Sequence, residues 1–170
     1  MSRHRFIENA LKTGLFAISI VFFVIAYIPY KIISAENHAV IAGMGRFRFA
    51  GYIFIGSGIL GYLICFWHFI VDAKGSPILG DTQHLIVRGL YRYVRNPIYI
   101  SACLILLGEV LIFQSLAMLY YLFGWMVVFH IFVIFVEEPF LRNKFGSTYE
   151  QYCNSVRRWV PQLKPPEKDE

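Results

Sequence analysis

A chain of 170 residues with 57 % hydrophobic and only 16 % charged residues falls well short of the roughly 25 % charge of an average soluble domain, so it lacks the polar groups to cover a water-facing surface. The formal charge of +5 does not imply nucleic acid, because the basic residues flank apolar blocks and do not line one polar face. Three cysteines, Cys65, Cys103 and Cys153, give neither a disulfide framework nor a CxxC metal spacing, so no metal site is expected.

In chain order, the first apolar block runs from Thr13 to Tyr30, 18 residues without a charge between Lys12 and Lys31. It is long for a signal peptide, and Ile28-Pro29-Tyr30 does not resemble a small-residue cleavage site. The second block, Phe49 to Val71, has 23 uncharged residues. Each suffices to cross a ~30 Å hydrocarbon layer at ~1.5 Å per residue. Gly51, Gly56, Ser57, Gly58 and Gly61 put small residues on neighbouring faces of this second helix, which predicts close packing against another membrane helix.

The third region, Asn96 to Val136, holds one charge, Glu109, in 41 residues. At helical rise it would be about 60 Å long, enough for two crossings. Gln114-Ser115 is the natural turn, so the pattern predicts a hairpin of helices near 97–113 and 116–136. The expected fold is an all-α integral membrane protein of about four transmembrane helices, including this C-terminal hairpin, plus a short interfacial C-terminal helix. With both termini cytoplasmic, thirteen lysines and arginines lie on that side and three on the other, which fixes the orientation.

The unusual polar sequence falls on the cytoplasmic side. The hairpin returns Arg95-Asn96-Pro97 and Glu137-Glu138 to one membrane face, setting two adjacent carboxylates against an arginine and a proline-bearing helix start. Arg88, Arg92 and Arg95 surround this end, and Tyr91, Tyr93 and Tyr99 supply aromatic faces for a purine or an organic cation. Glu109 lies deeper, either paired at the far interface or functional. In the tail, Ser147-Thr-Tyr-Glu150 has the form of a capping box after Gly146, and Tyr149, Tyr152, Cys153 and Val156 follow at helical spacing. Arg157 and Arg158 suit the end of that helix.

Gly89-Leu-Tyr-Arg-Tyr-Val-Arg-Asn-Pro-Ile-Tyr99, then Glu137-Glu138-Pro-Phe-Leu-Arg-Asn-Lys-Phe-Gly146, then Tyr149, Tyr152, Val156 and Pro161 resemble the isoprenylcysteine carboxyl methyltransferase family, itself related to the phospholipid N-methyltransferases. Lys74-Gly-Ser-Pro77 looks like the Gly-Thr-Pro element of its bacterial members, and the resemblance covers 88 of 170 residues. It implies S-adenosylmethionine in a cytoplasmic-side pocket capped by loop and tail. Val87, Gly89 and Tyr91 would line the adenosine, Arg95-Asn96-Pro97 and Tyr99 would hold the methionine moiety, and Glu137 and Glu138 would meet the amino group. Many members carry His where this chain has Asn96, which cannot take up a proton near neutral pH.

The division that follows is 1–73 as N-terminal transmembrane helices, 74–161 as the cofactor-binding methyltransferase region and 162–170 as a disordered tail. The acceptor would be a lipophilic small molecule or lipidated substrate: a carboxylate neutralised by Arg95 or a tail arginine, or an amine deprotonated by Glu138. Arg95 and Glu138 are thus the candidate catalytic residues. A bacterial inner membrane is the expected location, or the endoplasmic reticulum in a eukaryote. Two rival readings are a membrane NADPH-dependent reductase of the sterol-reductase type and a non-catalytic membrane scaffold.

Overall fold

The computed structural model of the chain describes residues 22–35, 47–72, 85 and 87–163, with side chains of the second stretch up to His68. The segment 13–21, the Lys74-Gly-Ser-Pro77 element and residues from Lys164 onward lie outside the described residues. Among the described residues there are five helices and no strand: α1 (Phe23–Ala35), α2 (Arg48–Asp72), α3 (Pro97–Phe113), α4 (Leu116–Phe145) and α5 (Ser147–Ser155). A single 3₁₀ turn, Gly89–Arg92, precedes α3.

The packing of α2 against α3 depends on glycine. A Cβ on Gly58 would lie 2.6 Å from the Ser101 carbonyl oxygen, one on Gly51 2.8 Å from the Gly108 carbonyl oxygen, and one on Gly108 2.6 Å from the Gly51 carbonyl oxygen. Positions 51 and 58 meet 108 and 101, so the two helices run antiparallel with their backbones in near contact over two turns. This bears out the reading of the small-residue stripe, with one refinement. Gly56 faces open space and the Ser57 hydroxyl donates to its own helix at the Phe54 carbonyl (2.9 Å), so only one face of the stripe is used. At the far end the Arg48 Nε donates to the Ile112 carbonyl at 3.1 Å, satisfying one of the carbonyls that the last turn of α3 leaves open.

The turn between α3 and α4 falls where the sequence placed it. Gln114 takes the left-handed conformation (φ 54°, ψ 35°) and its N–H closes on the Val110 carbonyl at 2.8 Å. The Ser115 Oγ accepts from the Met118 N–H at 3.0 Å, a side-chain N-cap. The hairpin core is Leu106 and Val110 against Met118 and Leu122, with Ile32 and Ile33 of α1 packed on it. The Tyr121 hydroxyl donates to the Val24 carbonyl at 2.9 Å and ties α4 to α1.

α4 does not stop near residue 136. It continues for 30 residues to Phe145, through a π turn at Val133–Glu137 and across Pro139. A proline inside an α-helix lacks an N–H and clashes with the carbonyl four residues back, and a widened turn just before it relieves both. α1 repeats the device, with a π turn at Phe23–Tyr27 and Pro29 two residues beyond, so it runs on past Lys31. α2 (over Arg48–His68) and α4 are long and apolar enough to cross a membrane. Phe49, Tyr52, Ile53, Leu60, Leu63 and Trp67 on α2, and Tyr120, Phe123, Val127, Ile131 and Phe135 on α4, stand exposed, as lipid-facing side chains would. α3, with 17 residues, is shorter than the ~20 that a crossing usually takes.

The α2–α3 contact predicts a contrast between two glycines. Gly58→Ala sets a methyl group against backbone that cannot give way and is expected to cost about 1–3 kcal/mol. Gly56→Ala, in open space, is expected to be neutral or to stabilise by up to about 1 kcal/mol through helix propensity. Thermal unfolding of the two variants in detergent checks the sign of each.

Candidate functional site

The site is assembled from the loop before α3, the first turn of α3, the π turn and following turns of α4, and the segment after α5. Leu85 and Val87 pack beneath Tyr149, Tyr152 and Val156, so the entry to the loop is held by α5. Gly89 has φ +56°, and the His68 ring at the end of α2 occupies the place its Cβ would take. Two independent reasons thus require glycine there. The Tyr152 hydroxyl donates to the Tyr91 carbonyl at 2.7 Å, while the Tyr91 hydroxyl meets the Cys65 thiol of α2. Burial pushes the Tyr91, Tyr149 and Tyr152 phenols above their ordinary range, so all three stay neutral at working pH.

At the centre lies Glu138, 2 % exposed. The Arg158 Nε donates to its Oε1 at 2.6 Å and the Arg158 Nη2 to its Oε2 at 3.0 Å, a bidentate pair. The Arg95 Nη1 reaches Oε1 at 3.3 Å, and the Arg142 Nη2, one helical turn along α4, reaches Oε2 at 3.4 Å. Three guanidinium groups surround one carboxylate, an excess of two positive charges. The Arg95 Nη1 also contacts the Cys153 Sγ at 2.7 Å, whereas the buried Arg95 Nε has no hydrogen-bond partner among the described residues.

Glu137 faces differently. Its Oε2 accepts from the Tyr99 hydroxyl at 2.7 Å, and no guanidinium or ammonium of the described residues pairs with it. The Tyr99 ring stacks on Phe129 (centroids 4.9 Å apart) and meets Trp159 edge-on at 6.4 Å. Tyr121, Trp125 and Phe129, four residues apart on α4, continue as a row of touching rings from the middle of the helix to Tyr99. Asn96 has no capping bond to α3; its Nδ2 donates to the Arg158 carbonyl at 3.2 Å, and Pro97 takes the first helical position. Glu109, remote from this cluster on α3, has one buried carboxylate oxygen without a hydrogen-bond partner among the described residues.

The structure therefore brings Arg95, Asn96, Tyr99, Glu137 and Glu138 together at one end of the hairpin, with Val87 and Tyr91 held against α5 and Gly89 set against His68 of α2. Several residues at the site were not singled out from the sequence. Arg142 was legible as the i+4 partner of Glu138. Arg158, placed by pattern at a helix end, instead lies beyond α5 and turns into the site. His68, Phe129 and His130 gave no local signal; Cys153 was marked only by its helical spacing in α5, and Trp159 only as an end to that segment. The capping box is not realised: α5 begins at Ser147 itself, with Gly146 (φ +53°) as its N-cap and no side-chain cap bond. Gln162, assigned to a disordered tail, is held by its N–H to the Tyr93 carbonyl at 2.9 Å and its Nε2 to the Arg92 carbonyl at 3.3 Å. Among the described residues no cluster of histidine, cysteine or acidic side chains suits a metal, and the three cysteines are free.

The sequence model of the family described as phospholipid methyltransferase matches residues 47–148, that is 102 of 170 positions. The match takes in α2, the loop, α3 and α4, and stops before the segment that carries Arg158. That family is related to the isoprenylcysteine carboxyl methyltransferases, the kinship the motifs suggested. No curated protein and no solved structure matches the chain.

The Gly89–His68 contact predicts a coupled pair. Gly89→Ala is expected to destabilise by about 1–3 kcal/mol through strain and overlap. Adding His68→Ala frees the space but leaves the φ strain, so the double variant should be less destabilised than the two single costs summed. A double-mutant cycle by thermal unfolding reads the coupling directly, and strict additivity would contradict the contact.

Proposed function

Because the chain belongs to the phospholipid methyltransferase family, we propose that it moves a methyl group from S-adenosylmethionine to a lipophilic acceptor at the cytoplasmic face of a membrane. The observation that carries this reading is the convergence of Arg95, Asn96, Tyr99, Glu137 and Glu138 at the end of two apolar helices. A water-soluble, charged donor and a membrane-embedded acceptor can meet only at such a boundary. In this reading the chain crosses the membrane four times, with both termini cytoplasmic, in a bacterial inner membrane.

The residues present fit the cofactor. A buried donor without a partner costs roughly 1–3 kcal/mol, so the Arg95 Nε is suited to receive a carboxylate such as that of the methionine moiety. Glu138 offers the acidic group for the amino end, and Glu137, which no guanidinium of the described residues pairs with, adds a second negative charge beside Tyr99. In this reading Val87, packed against α5, together with Gly89 and Tyr91 would line the adenosine. When bound, S-adenosylmethionine supplies an activated methyl group on a sulfonium, whose transfer is an in-line displacement.

The protein's share of such a displacement is alignment and exclusion of water. Arg95 and Glu138 fix the polar end, and Tyr99 with Phe129 closes the side toward the lipid. The aromatic row from Tyr121 through Trp125 to Phe129 offers an apolar acceptor a flat, half-buried path from the bilayer to Tyr99. With both oxygens engaged by guanidinium groups, Glu138 is poorly placed to take a proton from an amine. Glu137, which among the described residues accepts from the Tyr99 hydroxyl and pairs with no guanidinium, is the better group for that task. For a carboxylate acceptor, the excess positive charge around Glu138 provides the neutralisation.

Titration of purified, detergent-solubilised protein with S-adenosylmethionine should show saturable binding. Glu138→Gln should weaken it about tenfold or more, the worth of one charge-assisted hydrogen bond. Saturable binding of NADPH in its place would assign the chain to the reductases, and binding of neither would leave a scaffold.

A further inference from the structure

Beyond Ser155 the chain stops being helical and runs back across the loop before α3. The Arg95 N–H donates to the Arg157 carbonyl at 2.9 Å, the Gln162 N–H to the Tyr93 carbonyl at 2.9 Å, and the Asn96 Nδ2 to the Arg158 carbonyl at 3.2 Å. The Trp159 Nε1 donates to the His130 Nδ1 of α4 at 3.1 Å. Residues 157–162 thus form a strap anchored at its inner end by the buried Val156. None of these bonds belongs to a helix, so the strap can lift about Val156 without unwinding a turn of α5.

In the middle of the strap sits Arg158. Its bidentate pair engages both Glu138 oxygens, at 2.6 Å and 3.0 Å, while Arg95 and Arg142 stand farther off at 3.3 Å and 3.4 Å. Arg142 belongs to the same helix as Glu138, and Arg95 has an 11 % exposed side chain at the entry to α3. Of the three arginines, Arg158 is the one carried by the strap, whose own hold on the loop and on α4 is a set of single hydrogen bonds from Arg157 to Gln162. An ammonium group arriving at Glu138 with Arg158 in place would find no free oxygen position and two surplus positive charges around it. If Arg158 withdraws as the ammonium enters, one cation replaces another and the local charge is conserved.

We propose that Arg158 is a built-in competitor, holding Glu138 in the ligand-free protein and leaving with the strap when the ammonium end of S-adenosylmethionine binds. This inference rests on the reading of Glu138 given under the proposed function. The strap is therefore closed by the ligand-free charge balance and opened by the ligand, and only the open fraction of the protein is competent to bind. Apparent affinity is lowered by that fraction.

The experiment compares wild type with Arg158→Gln and Trp159→Phe in detergent, titrating S-adenosylmethionine at equilibrium and following association by stopped-flow tryptophan fluorescence. Arg158→Gln should bind about tenfold more tightly, because the competing state is removed. The wild-type observed rate should level off with ligand concentration, limited by strap opening, and should rise linearly in Arg158→Gln. Trp159→Phe keeps a ring against Tyr99 but loses the N–H to His130, so it should bind faster by a smaller factor. It also serves where Arg158→Gln folds poorly. Weaker binding by Arg158→Gln would make Arg158 part of the ligand site and overturn the proposal, as would linear wild-type kinetics with unchanged affinities in both variants. Absence of binding in wild type and variants alike would overturn the functional reading itself, and the competitor with it.

Discussion

A carboxylate that is 2 % exposed cannot stand alone in this environment, and the polar end of the molecule is organised around meeting that demand. An unpaired buried charge costs several kcal/mol, and losing one partner of a buried pair typically costs about 3–5 kcal/mol. Glu138 draws its partners from three parts of the chain: the loop before α3, its own helix one turn on, and the segment after α5. The loop and the segment after α5 are also joined by the Tyr149–Tyr152–Val156 cluster and by backbone bonds, and Glu138 adds the link from both of them to α4. The charge cluster thus does for the polar end of the molecule what the Gly51–Gly108 and Gly58–Ser101 contacts do for the helix pair.

The π turn decides what each of two adjacent carboxylates meets. Glu137 closes the widened turn and Glu138 follows it, with Pro139 next. In a regular α-helix neighbouring residues point about 100° apart, which already separates their partners. The widened turn accommodates Pro139 while letting α4 run straight on to Arg142, so Glu138 keeps a guanidinium at i+4 and Glu137 faces back toward Tyr99 on α3. Without that turn the proline would end or kink the helix and Arg142 would lose its register. The same pairing of π turn and proline in α1 shows a sequence-encoded way to pass proline through an apolar helix.

Elements whose signals are local were legible in the sequence. α3 begins and ends at residues 97 and 113, because Pro97 and the Gln114-Ser115 turn are decided by their own backbone chemistry. Gly146 and the Tyr149–Tyr152–Val156 spacing likewise marked α5 and the side it buries. The glycine stripe of α2 predicted a helix contact but could not say which face would be used, since that depends on where Gly108 and Ser101 fall on the partner. Non-local elements were missed. The continuation of α4 past Glu137 depends on a π turn that no residue type announces, and Pro139 after two acids imitates a stop. Arg158 and Gln162 were assigned to a helix end and a loose tail because their partners, Glu138 and Tyr93, are 20 and 69 positions away (158−138 and 162−93).

In the proposed function, recognition and reaction would share one boundary. The polar face of the site is charged, hydrogen-bonded and fixed to helix ends; the opposite face is the ring row Tyr121–Trp125–Phe129–Tyr99. Tyr99 belongs to both, with its ring on Phe129 and its hydroxyl on Glu137. An aromatic side chain with a polar tip is suited to such a place, because the ring tolerates lipid while the hydroxyl needs a partner. A donor held by Glu138 and Arg95 and an acceptor arriving along the rings would therefore approach one another across Tyr99. Water would be excluded on one side by the bilayer, and in the ligand-free state the strap covers the other, so the position of a single strap arginine, Arg158, would govern access to the carboxylate.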